Sequence, residues 1–266
     1  VGEAVLDARL MPAGKLNDAI RARELGDEGV LRDKLSRVRA RKREELGLTR
    51  GGEGDEGEIL RRDDVMDRWI AAVRATANLV TDDPAGWVDG QAAIFEGAQG
   101  ILLDEHAGFA PHVTRANTTF APAERLAASL GITVRRLAVL RAHAVRHGAG
   151  PLPTADPRIR PRSDHNAPNE WQGPVRYGVF DVVLARYALS VSGPIDGLVL
   201  THMDGPADAL ATSWAGDPVV CLASAMSARP SVVRTTDLPR EVANLLQVPI
   251  LATSTGPRAA DLAWAP

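Results

Sequence analysis

The chain has 266 residues, of which 45% are hydrophobic and 24% are charged, and its formal net charge is -3. This composition is typical of a globular protein with a real core and argues against a disordered chain or an extended nucleic-acid-binding face. No apolar run approaches the ~20 residues that span a bilayer, and Cys221 is the only cysteine, so we predict a cytoplasmic protein that binds neither nucleic acid nor membrane.

Two helices are predicted in the first third of the chain. From Glu28 to Leu46 apolar residues recur at helical spacing among many arginines, and we interpret this segment as a solvated amphipathic helix rather than a nucleic-acid arm. Glycine and charge dominate residues 47–58, which indicates a surface loop. A second helix is predicted from Ile59 to about Val80, and its buried stripe is predicted to contain Ile59, Val65, Trp69, Ile70, Val73 and Ala77.

The stretch from Ile94 to Thr119 combines an apolar run with a dense polar cluster. Residues 92–95 are apolar and end at Glu-Gly-Ala-Gln-Gly, residues 96–100, which predicts a buried strand that enters a tight turn. The polar side chains that follow do not have the spacing of a surface helix; they include Asp104, Glu105, His106, Thr114, Asn117, Thr118 and Thr119. Polar groups crowded at the end of a strand indicate a binding site.

Helices and strands alternate from there to the C-terminus. We predict helices at 122–130, 182–191 and 238–247, strands at 134–145, 197–200, 218–222 and 248–252, and a polar loop over 155–177. Cys221 lies in one of the predicted strands, and we interpret it as a packed core thiol. The alternation predicts an α/β fold with a mostly parallel central sheet flanked by helices, and with sites at the carboxyl ends of strands.

Four motifs resemble those of the adenylosuccinate synthetase family and occur in the family's order. Phe95 to Asp104 resembles the family's F-E-G-A-Q-G-x-L-L-D, and Thr114 to Thr119 resembles its T-x-x-N-T-T. Arg146 to Thr154 is similar to R-V-G-A-G-P-F-P-T, and Ser254 to Pro257 reads S-T-G-P as in the family. The resemblance covers nearly the whole chain.

The resemblance implies a ligase that uses GTP to join L-aspartate to the 6-position of an IMP-like purine nucleotide. GTP would phosphorylate the 6-oxygen, and the aspartate amine would then displace phosphate. Gln99 would be the catalytic amide, because a preorganised donor stabilises the negative charge that develops on that oxygen, an effect of roughly 3 kcal/mol. Gln99, Thr114 and His147 would bind IMP.

The family's arginine-rich substrate loop is altered in this chain. Several consecutive arginines are replaced by Gly173, Pro174 and Val175, and Arg176 is left in register. The resemblance implies that Gly173 and Arg176 belong to the aspartate and GTP loop, where Arg176 would meet the GTP phosphates or the aspartate carboxylate. Two alternatives therefore stay open: a related ligase for another purine nucleotide or amino acid, as in the branch that makes 2-aminoadenylosuccinate, and a non-catalytic nucleotide-binding homologue.

A guanine site is implied at the end of the predicted strand 197–200. The sequence Thr-His-Met-Asp at 201–204 resembles the family's T-K-L-D, and a carboxylate pairs with the N–H edge of guanine but finds no such donor pair on adenine. Asp204 therefore favours GTP, and a loop aspartate that caps a turn is the alternative interpretation. His202, Ser254, Gly256 and Arg176 complete the implied GTP site.

The chain's first residues resemble an interior segment of the family's sequence. The family's G-D-E-G-K-G-K loop, with its magnesium contacts, does not occur here, so the resemblance implies a P-loop-NTPase-like fold without its N-terminal part. We expect one incomplete domain, mainly helical over 1–92 and nucleotide-binding over 93–266. We also expect Mg²⁺ to be held by the absent part, no metal site in this chain, and a homodimer with Arg9 near the interface.

Overall fold

The computed structural model describes residues 18–47, 55–76, 84–88, 91–161, 173–216 and 219–265. The predictions for Arg9, for the end of the second helix at 77–80 and for residues 162–172 of the polar loop lie outside the described residues. The chain forms two compact units, Val1–Ile94 and Phe95–Pro266. Within the described ranges, no helix has the length and apolar character needed to cross a membrane.

The described part of the first unit is helical. Its helices are α1 (Glu28–Glu45), α2 (Asp55–Arg61), α3 (Val65–Thr76) and α4 (Pro84–Val88). Helix α1 begins at Asp27, whose carboxylate accepts the Val30 N–H at 3.0 Å, as expected for an N-cap aspartate. The prediction of a helix from Glu28 is confirmed.

The arginines of α1 are paired within the unit. Arg32 contacts Asp67 of α3 at 2.7 Å, and Arg39 donates to the carbonyls of Leu60 at 2.9 Å and Arg62 at 2.7 Å. These contacts tie α1 to α2 and α3 and give the basic face a structural role.

The prediction of one helix from Ile59 to Val80 is wrong, because the chain breaks between α2 and α3. Asp63 and Asp64 occupy the break, and Arg62 pairs with Asp64 at 2.8 Å. Aspartate competes for backbone N–H groups and favours helix starts over helix interiors. Of the predicted buried stripe, Ile70 is buried, whereas Trp69 is 39% exposed and Ile59 is 53% exposed.

Strands and helices alternate in the second unit. In chain order they are α5 (Ala121–Ser129), β1 (Leu137–Arg141), β2 (His143–His147), β3 (Val175–Asp181), α6 (Val182–Ser192), β4 (Gly197–Thr201), β5 (Ala209–Trp214), α7 (Leu222–Ser227), β6 (Pro230–Arg234), α8 (Leu238–Leu246), β7 (Ile250–Ser254) and β8 (Leu262–Trp264). The prediction of an α/β fold is confirmed, as are helices α5, α6 and α8 and strands β4 and β7.

The strands form two four-stranded mixed sheets in place of one mostly parallel sheet. One has the order β1-β4-β7-β8 and the other β2-β3-β5-β6. The pairs β1/β4, β4/β7 and β3/β5 are parallel, and the pairs β2/β3, β5/β6 and β7/β8 are antiparallel. The predicted strand 134–145 is therefore two strands, which leave one sheet and enter the other at Ala142, where its N–H donates to the Thr201 carbonyl at 2.8 Å.

Three predictions about apolar runs are wrong. Residues 92–95 form no strand, and Ile94 is 94% exposed, because a strand needs a hydrogen-bonding neighbour and none of the described residues pairs with this run. The described residues of the predicted strand 218–222 form no strand either, and α7 starts at Leu222. There the Cys221 N–H donates to the Ser224 hydroxyl at 3.0 Å, which starts a helix, and the Cys221 thiol is exposed rather than in the core.

The main core lies where α6 and α8 pack on the sheets. Its buried side chains are Ala142, Phe180, Val182, Ala185, Leu198, Leu200, Leu210, Leu238, Val242 and Leu246. Because both sheets contribute to this one cluster, the hydrophobic core fixes their relative position and with it the ends of their strands.

Asp181 joins β3, α6 and β5 through its buried carboxylate. One oxygen accepts the N–H groups of Val183 at 3.0 Å and Leu184 at 3.2 Å, and the other accepts the indole N–H of Trp214 at 3.1 Å. Burial raises the pKa of Asp181 even though these three donors stabilise its charged form.

We expect Asp181→Ala to lower the free energy of unfolding by about 2–4 kcal/mol, because it removes a helix cap and leaves the buried Trp214 N–H unpaired. Asp181→Asn keeps an acceptor and removes the buried charge, so its loss should be less than half as large. Urea denaturation of both variants measures the difference. Equal losses would contradict a role for the acceptor oxygens.

Candidate functional site

The polar stretch after residue 100 is organised by the carboxylate of Asp104. This side chain is 1% exposed. One of its oxygens accepts the N–H groups of His106 at 2.9 Å and Ala107 at 3.0 Å, and the other accepts the Thr118 N–H at 2.7 Å. Burial alone would raise the pKa of Asp104, but the three backbone donors outweigh it and hold the pKa below its usual value.

Gln99 lies in the turn before Asp104, and Thr114 lies in the loop after it. Gln99 is exposed at the tip of the turn with a φ of 61°, in the left-handed region that non-glycine residues rarely adopt. The Thr118 hydroxyl holds the turn by donating to the Gly100 carbonyl at 2.9 Å. The Thr114 N–H donates to the Leu103 carbonyl at 2.8 Å, so its backbone N–H has an internal partner while its side chain stays half-buried.

Two arginines hold the turn Gly148-Ala149-Gly150 that follows β2. Arg146 of β2 and Arg176 of β3 are directly opposite in the antiparallel pair. Arg146 Nε donates to the Ala149 carbonyl at 2.9 Å, and Arg176 Nη2 donates to the Gly148 and Gly150 carbonyls, each at 2.7 Å. All three carbonyls of the turn thus face guanidinium groups.

The close approach of Arg146 explains the glycine at position 150. A Cβ atom there would lie 2.4 Å from Arg146 Nη2, and the residue has a φ of 101°. Burial, together with the charge of Arg176, lowers the pKa of Arg146, which marks an unfavourable concentration of positive charge.

His147 and Gly173 lie at the same end of the antiparallel strand pair β2/β3. His147 is the last residue of β2, and its Nδ1 atom is buried with no hydrogen-bond partner among the described residues. Gly173 has a φ of 74° and precedes Pro174, whose carbonyl accepts the Gly148 N–H at 3.0 Å. The altered loop therefore contacts the turn through its backbone.

The remaining predicted residues meet at the carboxyl ends of β4 and β7. These strands are parallel neighbours, with Leu200 opposite Thr253, and beyond them the Met203 N–H donates to the Ser254 carbonyl at 2.9 Å. The Ser254 hydroxyl donates to the Gly256 carbonyl at 2.8 Å.

His202 and Asp204 lie in the tight turn that follows β4. His202 has a φ of 59°, and the Gly205 N–H closes the turn onto its carbonyl at 3.1 Å. The Asp204 side chain is half-buried in this turn.

Side chains on β2 connect the three groups. Arg146 Nη2 reaches back to the His112 carbonyl at 2.9 Å and so joins the arginine pair to the Asp104 stretch. At the other end of β2, the rings of His143 and His202 meet edge to face with their centroids 5.6 Å apart. Contacts at the two ends of β2, a strand of about 13 Å, thus link the loop that contains His112, the arginine pair and the turn that contains His202.

Sequence patterns assign no individual role to three residues that organise this site. Asp104 and Arg146 were noticed only as parts of motifs, although each is buried and organises its neighbours. His143 gave no signal, since it stands in a strand pattern without a recognisable motif. The position of Arg146 next to a glycine-rich turn is a usable signal, because a buried charge needs hydrogen-bond partners and an exposed turn backbone supplies carbonyls.

We expect Asp104→Asn to lower the free energy of unfolding by about 1–3 kcal/mol at pH 7, since an amide replaces a carboxylate that accepts three N–H bonds. Because folding lowers the pKa of Asp104, its contribution is complete above about pH 4 and is lost as the pH falls through the folded-state pKa. Urea denaturation at pH 7, 5 and 3.5 should show that the difference in unfolding free energy between wild type and variant is constant from pH 7 to pH 5 and begins to narrow at pH 3.5. Glu96→Gln, an exposed carboxylate in the same stretch, serves as the control, and a gap independent of pH would contradict the assignment.

The family model and the curated relatives that match this chain all carry the same family name. The family model for adenylosuccinate synthetase matches residues 14–210. The adenylosuccinate synthetase of Nitratidesulfovibrio vulgaris is 33% identical over 199 residues, which are 70% of this chain and 44% of that protein. The enzyme of that name from Thermus thermophilus is 31% identical over 199 residues, again 70% of this chain, and 45% of that protein.

A solved structure has the same fold. The fully ligated adenylosuccinate synthetase of Plasmodium falciparum matches with a TM-score of 0.72 over 94% of this chain and 66% of that one, at 16% identity. The chain spans somewhat less than half the length of the curated relatives it matches. By sequence and by fold, the chain belongs to the adenylosuccinate synthetase family.

Proposed function

We propose that this chain forms the nucleotide- and substrate-binding part of a GTP-dependent ligase that joins L-aspartate to the 6-position of IMP. The observation that carries the proposal is the convergence on β2 of three groups of residues that lie far apart in the sequence. The Asp104 stretch, the arginine-held turn and the β4–β7 end are joined by the Arg146–His112 hydrogen bond and the His143–His202 ring contact.

Asp204 would select the guanine base. Its carboxylate lies half-buried in the turn after β4, beside the Ser254–Gly256 segment. A carboxylate accepts both N–H groups of the guanine edge, and the low-dielectric surroundings of a half-buried position strengthen such bonds. Ser254 and Gly256 would line the same base through their backbone.

Gln99 would stabilise the charge that develops on the purine 6-oxygen. The bond from the Thr118 hydroxyl to the Gly100 carbonyl holds the turn that carries Gln99, and the φ of 61° sets the direction in which its side chain leaves the backbone. Thr114 and His147 would bind the same nucleotide, Thr114 through its hydroxyl, because its backbone N–H is already used.

No step of the reaction is assigned to a metal ion on these residues. The family resemblance implies Mg²⁺, but the described residues contain no group of three His, Cys, Asp or Glu side chains that could hold a metal ion. Any Mg²⁺ would need ligands from the nucleotide phosphates or from residues beyond the described ranges. Cytoplasmic location and a homodimer belong to the same proposal and rest on the resemblance alone.

A related ligase for a different purine nucleotide or amino acid is the second candidate. It is favoured by the loop at Gly173, Pro174 and Val175, which presents a backbone carbonyl to the Gly148 N–H where the family places arginine side chains. Loss of these cations changes which anionic groups the loop can bind.

Phosphate release from GTP in the presence of IMP and L-aspartate tests the proposal. The chain should be assayed alone and with the family's N-terminal segment supplied in trans or by fusion. Activity that needs all three substrates would support the proposed function. Activity with GMP or dGMP in place of IMP, and none with IMP, would favour the second candidate.

We expect Asp204→Asn to weaken GTP binding by 5- to 150-fold, the equivalent of about 1–3 kcal/mol for one lost acceptor pair. Isothermal titration calorimetry with GTP measures the loss. Asp208→Asn is the matched control, since Asp208 is an exposed carboxylate a few residues away that pairs with Arg234 on the surface, and it should change affinity less than twofold. If the two substitutions weakened GTP binding equally, Asp204 would have no specific role in recognising the guanine base.

A further inference from the structure

The loop that follows β7 is closed by Asp261. This residue ends a single turn of 3₁₀ helix, Ala259–Asp261, directly before β8. Its carboxylate accepts the Arg258 N–H at 2.8 Å, and its own N–H donates to the Arg258 carbonyl at 2.9 Å. Its carbonyl accepts the Thr255 N–H at 3.0 Å. Asp261 is thus bonded to the loop at two positions, although none of the sequence motifs includes it.

The same carboxylate explains the glycine at position 256. A Cβ atom there would lie 2.5 Å from Asp261 Oδ2 and 2.8 Å from Asp261 Cγ. The backbone of Gly256 does not have a positive φ, so its conformation alone does not require glycine. The space of a side chain is instead filled by the carboxylate, which the bond from the Arg258 N–H keeps in place. The loop backbone and the Asp261 side chain are therefore packed directly against each other.

The loop connects this contact to the turn after β4. The Ser254 hydroxyl donates to the Gly256 carbonyl at 2.8 Å, and the Ser254 carbonyl accepts the Met203 N–H at 2.9 Å. Met203 directly precedes Asp204 in the chain. A continuous series of contacts and hydrogen bonds therefore runs from the Asp261 carboxylate through the loop to the residue beside Asp204.

We propose that Asp261 is a positioning residue for nucleotide binding. It holds the loop after β7 in shape and, through Ser254 and Met203, steadies the turn that carries Asp204. The proposal rests on the proposed function, which assigns the base of GTP to Asp204, Ser254 and Gly256. Asp261 acts through these residues, because its carboxylate is already engaged by the Arg258 N–H and packs on the loop backbone.

The sign of the effect on GTP binding separates positioning from electrostatics. GTP is an anion, and a nearby carboxylate repels it. If Asp261 acted through its charge, its removal would strengthen GTP binding, and the change would fade as salt screens the charge. If Asp261 acts by holding the loop, its removal weakens GTP binding, because part of the binding free energy is then used to order the loop. Salt should leave that loss unchanged.

Isothermal titration calorimetry of the full chain with GTP tests the proposal. Asp261→Ala should weaken GTP binding about fivefold, the equivalent of one lost hydrogen bond. The ratio of its affinity to that of the wild type should be the same at about 0.05 M and about 0.5 M KCl. Asp261→Asn keeps an oxygen that can accept the Arg258 N–H, so it should stay within about twofold of the wild type.

Asp196→Ala is the matched control. Asp196 is an exposed carboxylate that accepts the Arg136 N–H at 2.6 Å, and it lies before β4, at the other end of that strand from Asp204. Its loss removes a similar bond but should leave GTP affinity within about twofold of the wild type, because sites without shared contacts act independently. If Asp261→Ala does not fold, Asp261→Glu replaces it: the charge stays, but the longer side chain is forced against Gly256, and GTP should bind about threefold more weakly or worse at high salt.

The outcomes separate this proposal from the proposed function. If Asp204→Asn weakens GTP binding while Asp261→Ala leaves it unchanged or strengthens it, the guanine site stands and the role of Asp261 is overturned. Equal losses in Asp261→Ala and Asp196→Ala would show general destabilisation and contradict positioning. Equal losses in Asp261→Ala and Asp261→Asn would exclude the acceptor oxygen as the cause. If the wild-type chain binds no GTP, the proposed function fails and this proposal fails with it.

Discussion

The site depends on two guanidinium groups that hold three backbone carbonyls. Arg146 and Arg176 repel each other across the β2–β3 hairpin, and the Gly148-Ala149-Gly150 turn offsets that repulsion by directing its carbonyls at them. The arrangement requires glycine at position 150, where a side chain would strike Arg146. Stored positive charge of this kind is characteristic of sites that bind anions.

The fold uses one short junction to bring distant motifs together. At Ala142 the chain passes from the sheet that contains β4 and β7 to the sheet that contains β3 and β5. As a result β2 starts near the turn that follows β4 and ends at the arginine-held turn. The core cluster shared by both sheets fixes the distance between these two turns.

The two buried aspartates show how the local environment sets the direction in which the pKa of a carboxyl group shifts. Asp104 and Asp181 each accept three N–H bonds, yet their pKa values move in opposite directions. Asp104 lies in a loop whose backbone donors outweigh the cost of burial, whereas Asp181 lies under α6 and Trp214, where desolvation is the larger effect. Asp104 organises the loop that follows residue 100, and Asp181 holds Trp214 in the core cluster that contains Ala225 of α7.

The sequence predicts the family, the α/β class, most helices and the motifs of the site, because these depend on local periodicity and on short strings of residues. It did not determine the partners of those motifs. Residues 92–95 look like a strand but have no hydrogen-bonding neighbour among the described residues, and β3 was hidden in an apparent loop because its Arg176 and Gly178 break the apolar pattern. Pairing across a sheet joins residues far apart in the chain, so the sequence pattern could not show that Arg176 of β3 lies opposite Arg146 of β2.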